Sequence, residues 1–211
     1  MQQPQRLTLD RLDTPIGELQ IIADLEGNLR VVHWTDHEEG LHCWLKAHFG
    51  REGYSLENVA VRSDLTDAVA RYFAGELNAI DELPVKTEGT AFQQEVWREL
   101  RRIPCGSTIS YGQLAKKIGR PAAVRAVELA NGSNPIGVVV PCHRVIGADG
   151  SLTGYGGGME RKAWLLRHGK RVVFPSGICA GLSLTMWSWN RHRDRNVGFA
   201  DFGRLQRSGR S

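Results

Sequence analysis

Cys142 and His143 stand side by side after an apolar run, Val138-Val139-Val140-Pro141, and are the residues of this chain best suited to covalent chemistry. A thiol is a weak nucleophile until it loses its proton, and a neighbouring base or positive field supplies that activation. The β-branched run predicts a buried strand over 138–140. A thiol placed where a strand stops can face a cleft. Successive residues of an extended chain point to opposite sides, so Cys142 and His143 are not expected to touch directly. A bridging water, or a bend after Pro141, has to link them. Taken alone, the pair is equally compatible with a buried structural cysteine beside a surface histidine. Metal chemistry has no support, because Cys43, Cys105, Cys142 and Cys179 are scattered and form no CxxC pair. Cys105 reads as structural, since it follows a helix.

The elements around this pair are readable from pattern. Thr90 is a candidate N-cap for a helix running through Arg101, with Phe92, Val96, Trp97 and Leu100 on its apolar face. Tyr111–Ile118 and Ala122–Ala130 form two short helices joined by a turn at Gly119-Arg120-Pro121, a helix-turn-helix pattern. Many helix pairs look like this and only pack. A nucleic-acid role gains support from Ala122, Ala123 and Ala126, which leave little bulk, and from Arg125, which can reach in. Tyr155 followed by Gly156-Gly157-Gly158 is either a packing aromatic with a plain turn or a loop whose backbone can approach a planar ring.

The first part of the chain reads as a strand meander. Leu7–Ile22 alternates around Thr14-Pro15-Ile16-Gly17, and a further strand follows the Glu26-Gly27 turn and ends at Trp34. Helical spacing covers Gly40–Phe49 and Leu65–Leu77, the latter with Asp64 as candidate cap. The Asp81–Gly89 segment, with Pro84, reads as a linker. No catalytic constellation is visible before it. His33, His37, His42 and His48 read as ordinary surface or packing residues.

At 211 residues the chain has room for one or two domains. Neither an apolar leader core nor a run of transmembrane length is present, and four scattered cysteines do not make a disulfide framework. A reducing cytoplasm is the expected compartment. The formal net charge is +4, but Arg171 to Ser211 alone carry seven Arg against two Asp. The remainder is therefore slightly acidic, and any nucleic-acid contact has to come from a local patch.

Four stretches together resemble the C-terminal domain of the O6-alkylguanine-DNA alkyltransferases. They are TAFQQEVWRELRRIPCG from Thr90, ISYGQLAKKIGRPAAVRAVELANGSNPIG from Ile109, PCHRV from Pro141 and GSLTGYGGGMERKAWLLRH from Gly150. The stand-alone bacterial form is resembled most, closely over Thr90–His168 and loosely over Leu7–Glu88. The resemblance implies an α+β architecture. A small RNase-H-like domain would occupy residues 1–85. A helical domain with a helix-turn-helix and an active-site strand would occupy 90–169. An atypical basic tail, read as a disordered appendage, would occupy 170–211.

It also implies roles. Cys142 would accept the alkyl group, with His143 acting as base through water. Tyr111 would crowd the target phosphate and hydrogen-bond the guanine, and Asn134 would hinge the helix pair to the thiol segment. The second helix would enter the minor groove of double-stranded DNA, Arg125 taking the place of an O6-alkylguanine swung out of the stack. Ala122, Ala123 and Ala126 would line that contact. Tyr155, Gly156 and Gly157, with Val145 and Trp97, would form the base pocket, and the open position at Gly156 hints at groups larger than methyl. The alkylated thioether has no easy leaving group, so one molecule is consumed per lesion. No cofactor is required, no membrane contact is implied, and a monomer suffices.

Three features depart from that pattern. The family has a glutamate after the WLLxH motif, orienting the histidine, and this chain has Gly169. Loss of an orienting carboxylate weakens a nucleophile–base pair; Glu160, Asp194 and Asp201 are poor candidates to replace it. Glu128 and Leu129 occupy helix positions where small residues are usual, and Glu128 either weakens phosphate contact or pairs with Arg125. The tail after His168 changes character, which a shifted reading frame near residue 169 would explain. Two alternatives follow: a lesion-binding protein of the same fold that no longer transfers, and an unrelated cysteine hydrolase, which needs an adjacent histidine and an oxyanion hole.

Overall fold

Alternating burial of Leu7 and Leu9 puts one face of β1 (Gln5–Thr14) into the core. β2 (Gly17–Asp24) returns antiparallel, from Thr14 opposite Gly17 to Leu7 opposite Asp24, and β3 (Leu29–Trp34) pairs antiparallel with β2. This is the expected meander. β4 (Tyr54–Asn58) adds to the other side of β1 in parallel, giving the order β3-β2-β1-β4. The structure is a computed structural model and describes residues 4–37, 41, 44–46, 49–50, 53–58 and 63–170. The tail beyond residue 170, with Asp194 and Asp201, and the histidines at 42 and 48 lie outside the described residues.

α1 (Asp64–Ala74) follows, buried through Val69, Tyr72 and Phe73. Its cap is Ser63, whose hydroxyl accepts from the Thr66 amide at 3.2 Å, not Asp64, which is the first helical residue. A hydroxyl one position earlier satisfies the free amide, and the Asp64 carboxylate then faces the positive helix end.

The helical part is built on local signals. α2 (Ala91–Leu100) opens with the reciprocal Thr90–Gln93 capping box, and α3 (Tyr111–Lys117) opens with the same device from Ser110 and Gln113. α4 (Val124–Gly132) starts two residues later than the apolar spacing suggests. Ala122 and Ala123 therefore lie in the preceding turn, and Ala123 is an N-cap without a side-chain hydrogen bond. β5 (Ile109–Ser110) and β6 (Val145–Ile146) form a two-residue parallel pair, and α5 (Met159–Gly169) closes the described chain.

Sheet and helices share one core, in which Leu19, Val32 and Trp34 pack with Val96, Leu114, Val140 and Leu165. The open edge of β3 is covered rather than exposed. Val32 donates to the Pro135 carbonyl and accepts from the Gly137 amide, both at 3.0 Å, while Leu29 exchanges bonds with Pro84 and Lys86. The sheet edge thus grips the segment that leads to Cys142.

The expected strand over 138–140 does not form. These residues are buried, but Val138 has φ 68° and the chain winds through tight turns, Val140 donating to Ile136 and Cys142 to Val140. An apolar β-branched run marks burial; a strand also needs a ladder partner, and here the partners are turn carbonyls. Cys142–Arg144 then make a single 3₁₀ turn. The active-site strand of the sequence reading shrinks to β6, which comes after the thiol. No helix among the described residues is long and apolar enough to cross a membrane.

Candidate functional site

Asn134 organises the turn that presents the thiol. Its Oδ1 accepts from the Ile136 amide at 3.1 Å and its Nδ2 donates to the Val140 carbonyl at 2.8 Å, so one side chain clamps both limbs of the 136–140 bend. Behind it, Asn131 on the buried face of α4 sends Nδ2 to the Cys142 carbonyl at 3.5 Å. In a 3₁₀ turn neighbouring side chains diverge by a third of a turn. Cys142 and His143 therefore point apart, as expected, although the cause is the bend after Pro141 and not an extended chain. His143 is buried, with its ring edge-on to Tyr155 at 6.3 Å between centroids. Its Nδ1 has no hydrogen-bond partner among the described residues.

Lys162 is a buried cation at the back of the site. Its Nζ donates to the Val145 carbonyl at 2.7 Å, just after the thiol turn, and to the Thr153 carbonyl at 2.5 Å, just before the glycine loop. It joins the two segments that face the cavity. Burial lowers its affinity for a proton, partly offset by the nearby Cys142. Burial pushes the Cys142 thiol above its ordinary value; the Asn134 side chain and the Lys162 charge pull it back. His143 is held well below the usual imidazole range by burial and by the charges of Arg144 and Lys162. At neutral pH the site holds a neutral imidazole and a largely protonated thiol with a cation close by. Burial raises Tyr111 as well, with Thr153 and Asn131 opposing and the Glu128 charge adding to the rise.

A cavity of about 100 Å³ opens beside Cys142. One wall is Asn131, Asn134 and Gly137; a second is the loop Gly154–Gly157 with Tyr155; a third is Val32, His33 and Trp34 from β3. The glycines have different reasons. A Cβ at Gly157 would lie 2.4 Å from the Trp34 Nε1, so only glycine fits beneath that indole, whereas a Cβ at Gly156 would meet nothing within 4 Å. Gly156 is the open position expected from the sequence.

The structure brings Cys142, Asn134, Tyr155, Gly156 and Gly157 to this cavity, with His143 packed against Tyr155. It does not bring Val145 or Trp97 there. Val145 is buried under the turn and offers only its carbonyl to Lys162, and Trp97 is a core residue whose Nε1 donates to the Ala130 carbonyl at 2.8 Å. Both are buried in the core instead of lining the cavity. Tyr111 is buried at the start of α3, and Arg125 and Ala126 are exposed on α4 with Glu128 and Leu129. Glu160 is exposed on the first turn of α5.

Sequence reasoning missed Asn131, Lys162, His33 and Trp34. The first two carried a signal: each is polar at the spacing of a buried helix face, Asn131 four residues after Val127 and Lys162 three before Leu165, and a polar group there has to have a partner. His33 and Trp34 carried none, since only the packing of sheet on loop brings them to the cavity.

Residues 10–87 match the family described as the ribonuclease-like domain of 6-O-methylguanine DNA methyltransferase, and residues 91–171 match its DNA-binding domain. A methylated-DNA–protein-cysteine methyltransferase of Shigella flexneri is 52% identical over 163 residues, covering 77% of this chain and 95% of that one. The protein of the same name from Mycobacterium tuberculosis is 45% identical over 157 residues, 74% of this chain and 87% of that one. Among solved structures, the Mycobacterium tuberculosis OGT in complex with DNA superposes with a TM-score of 0.63 at 40% identity, covering 78% of this chain and 92% of that one. The O6-methylguanine-DNA methyltransferase of the archaeon Pyrococcus kodakaraensis gives 0.59 at 28% identity, covering 77% and 98%.

Proposed function

The chain belongs to the 6-O-methylguanine DNA methyltransferases, and from that premise we propose that Cys142 is the acceptor that removes alkyl groups from O6-alkylguanine in DNA. The protein is a methylated-DNA–protein-cysteine methyltransferase that repairs DNA by alkyl transfer. The observation that carries the assignment to Cys142 is its place at the cavity between the Asn134 clamp and the glycine loop, near the buried charge of Lys162.

The exposed face of α4 binds duplex DNA, with Arg125 filling the gap left by the extruded nucleotide and Ala122, Ala123 and Ala126 allowing close approach. Tyr111 meets the target phosphate and guanine. The flipped base enters beneath the glycine loop. His143 takes the thiol proton through a water. The thiolate sulfur forms a bond to the alkyl carbon as the bond from that carbon to guanine O6 breaks, and the leaving guanine receives a proton. The thioether persists, so each molecule acts once. We place the protein in the cytoplasm as a monomer. Residues 1–85 are its supporting domain, 90–169 the reactive one, and 170–211 an appended basic tail.

One observation favours a second reading, lesion binding without transfer. His143 Nδ1 is buried without a partner among the described residues, and the resemblance implies an orienting glutamate where this chain has Gly169. Duplex DNA carrying labelled O6-methylguanine separates the two in a single turnover followed by peptide mass analysis. One methyl gained on Cys142, abolished in Cys142→Ala while lesion binding stays, is the expected result. Binding without label on Cys142 would overturn it.

A further inference from the structure

Transfer chemistry needs a thiol, a base and a loop over the flipped guanine, all from the second half of the chain. The cavity nevertheless has a wall from the sheet. His33 and Trp34, at the end of β3, line it together with Cys142. Two independent sets of contacts hold that wall. On one flank, Val32 is hydrogen-bonded to Pro135 and Gly137, the segment that runs into the Asn134 clamp. On the other flank, Arg161 of α5 reaches across to the sheet.

Arg161 engages four groups. Its Nε donates to the Ile16 carbonyl at 2.8 Å, and its Nη1 donates to the Gly157 carbonyl at 3.1 Å and pairs with the Asp36 carboxylate at 2.8 Å. Its guanidinium lies over the Trp34 ring, 4.4 Å from the centroid. The side chain is only 18% exposed. Gly17, at φ 120°, leaves room for it, since a Cβ there would lie 2.7 Å from Nη2. One side chain thus fixes the glycine loop, the β1–β2 turn and the indole against one another, and the indole in turn excludes any side chain at position 157. The gap between loop and sheet is set, not slack.

We propose that His33 and Trp34 form a specificity-determining wall that limits the size of the O6-substituent, with Arg161 as the positioning residue that sets its distance from the glycine loop. The proposal rests on the reading of Cys142 as acceptor. The substituent on O6 must reach the Cys142 sulfur, so any length beyond the reacting carbon has to lie along the walls around it. Where a wall limits the room for an alkyl chain, one methylene changes discrimination by roughly tenfold or more.

The test uses the full chain and two duplexes that differ only in carrying O6-methyl- or O6-butylguanine. His33 is half-buried at the cavity, so it can be shrunk or enlarged without opening the core. His33→Ala is expected to raise the butyl-to-methyl ratio of single-turnover rates by about tenfold, and His33→Trp to lower it by a similar factor. Opposite signs at one position are not produced by a general loss of folding. Arg161→Met is expected to relax the ratio towards the larger group, with Arg161→Lys restoring part of the discrimination. Ratios within twofold of the parent in all four variants, with unchanged melting temperatures and a parent that labels Cys142, would overturn the wall and leave the transfer reading standing. If the parent transfers nothing, the same ratio is read from dissociation constants for the two duplexes. Opposite shifts for the two His33 variants then support the wall, and equal affinities reject it.

Discussion

α4 serves two regions that differ in almost every physical respect. Its outer face carries Arg125, Glu128 and Leu129, the last 70% exposed, and no side chain caps its start. Its inner face carries Val127, Ala130 and Asn131, all buried, with Asn131 against the carbonyl of Cys142. An exposed charge such as Glu128 on the outer face acts through a screened field, so its effect is small and salt-dependent. Groups on the inner face sit in a desolvated cradle where Asn134, His143 and Lys162 are each buried or clamped, and a missing partner is expensive there. One helix therefore carries both the face proposed to engage DNA and the residue that holds the Cys142 carbonyl.

The largest expected break in that contrast is at Gly169. Supplying a carboxylate by Gly169→Glu is expected to raise the methyl-transfer rate on the order of 10²-fold, as orienting acids do for base histidines. A Cβ there would lie 3.1 Å from both the Cys105 sulfur and the Gly106 amide nitrogen; Cys105→Ala relieves the first contact, so the double change is expected to reach the higher rate of the two. Rates equal to the parent in both would show that the cradle works without an acid.

A smaller effect is expected from Lys162→Met. It strips the cation beside Cys142 and leaves the Val145 and Thr153 carbonyls unpaired, which lowers stability by about 1–3 kcal/mol. The thiolate is the attacking form, and burial raises the thiol. The parent rate should therefore climb with pH through the ordinary thiol range of about 8.5 instead of levelling off there. His143 is neutral down to well below about 6.5, so no acid limb is expected near that value. Lys162→Met should move the curve to higher pH and cut the neutral rate about tenfold for each unit moved. An unshifted pH profile would remove Lys162 from the activation of the thiol.

The smallest expected effect lies on the outer face. Glu128→Gly is expected to tighten DNA binding a few-fold at low salt, with the gain shrinking as salt rises in step with phosphate neutralisation. Chemistry on Cys142 once bound should be unchanged. Equal affinity at low salt would retire a repulsive role for Glu128.

Much of the helical part was legible because its signals are local. Thr90 as N-cap marks a helix start, and the spacing of Phe92, Val96 and Leu100 marks its apolar side; the return bond from Gln93 is seen in the structure. Asp64 was misread for Ser63 because both types cap, and only geometry shows which oxygen meets the amide. The valine run at 138–140 announced burial correctly and secondary structure wrongly, since a clamp by Asn134 and the edge of β3 outcompeted strand pairing. The resemblance implies a pocket role for Trp97 and Val145, but burial in the core takes both, a distinction that residue type does not carry.

By itself the sequence determined the adjacent Cys142 and His143 as the candidate reactive pair, the order of the two short helices, and the alkyltransferase family. Each of these is a matter of residue type and short spacing, which a linear text preserves. Only the tertiary structure decided that Lys162 would be the buried cation beside the thiol and that the 3₁₀ turn would replace a strand. It alone set His33 and Trp34 as a wall of the cavity under the grip of Arg161. The wall and its grip join residues more than a hundred positions apart, and the Lys162 contacts and the turn depend on burial; burial, not local preference, selects which groups must satisfy one another.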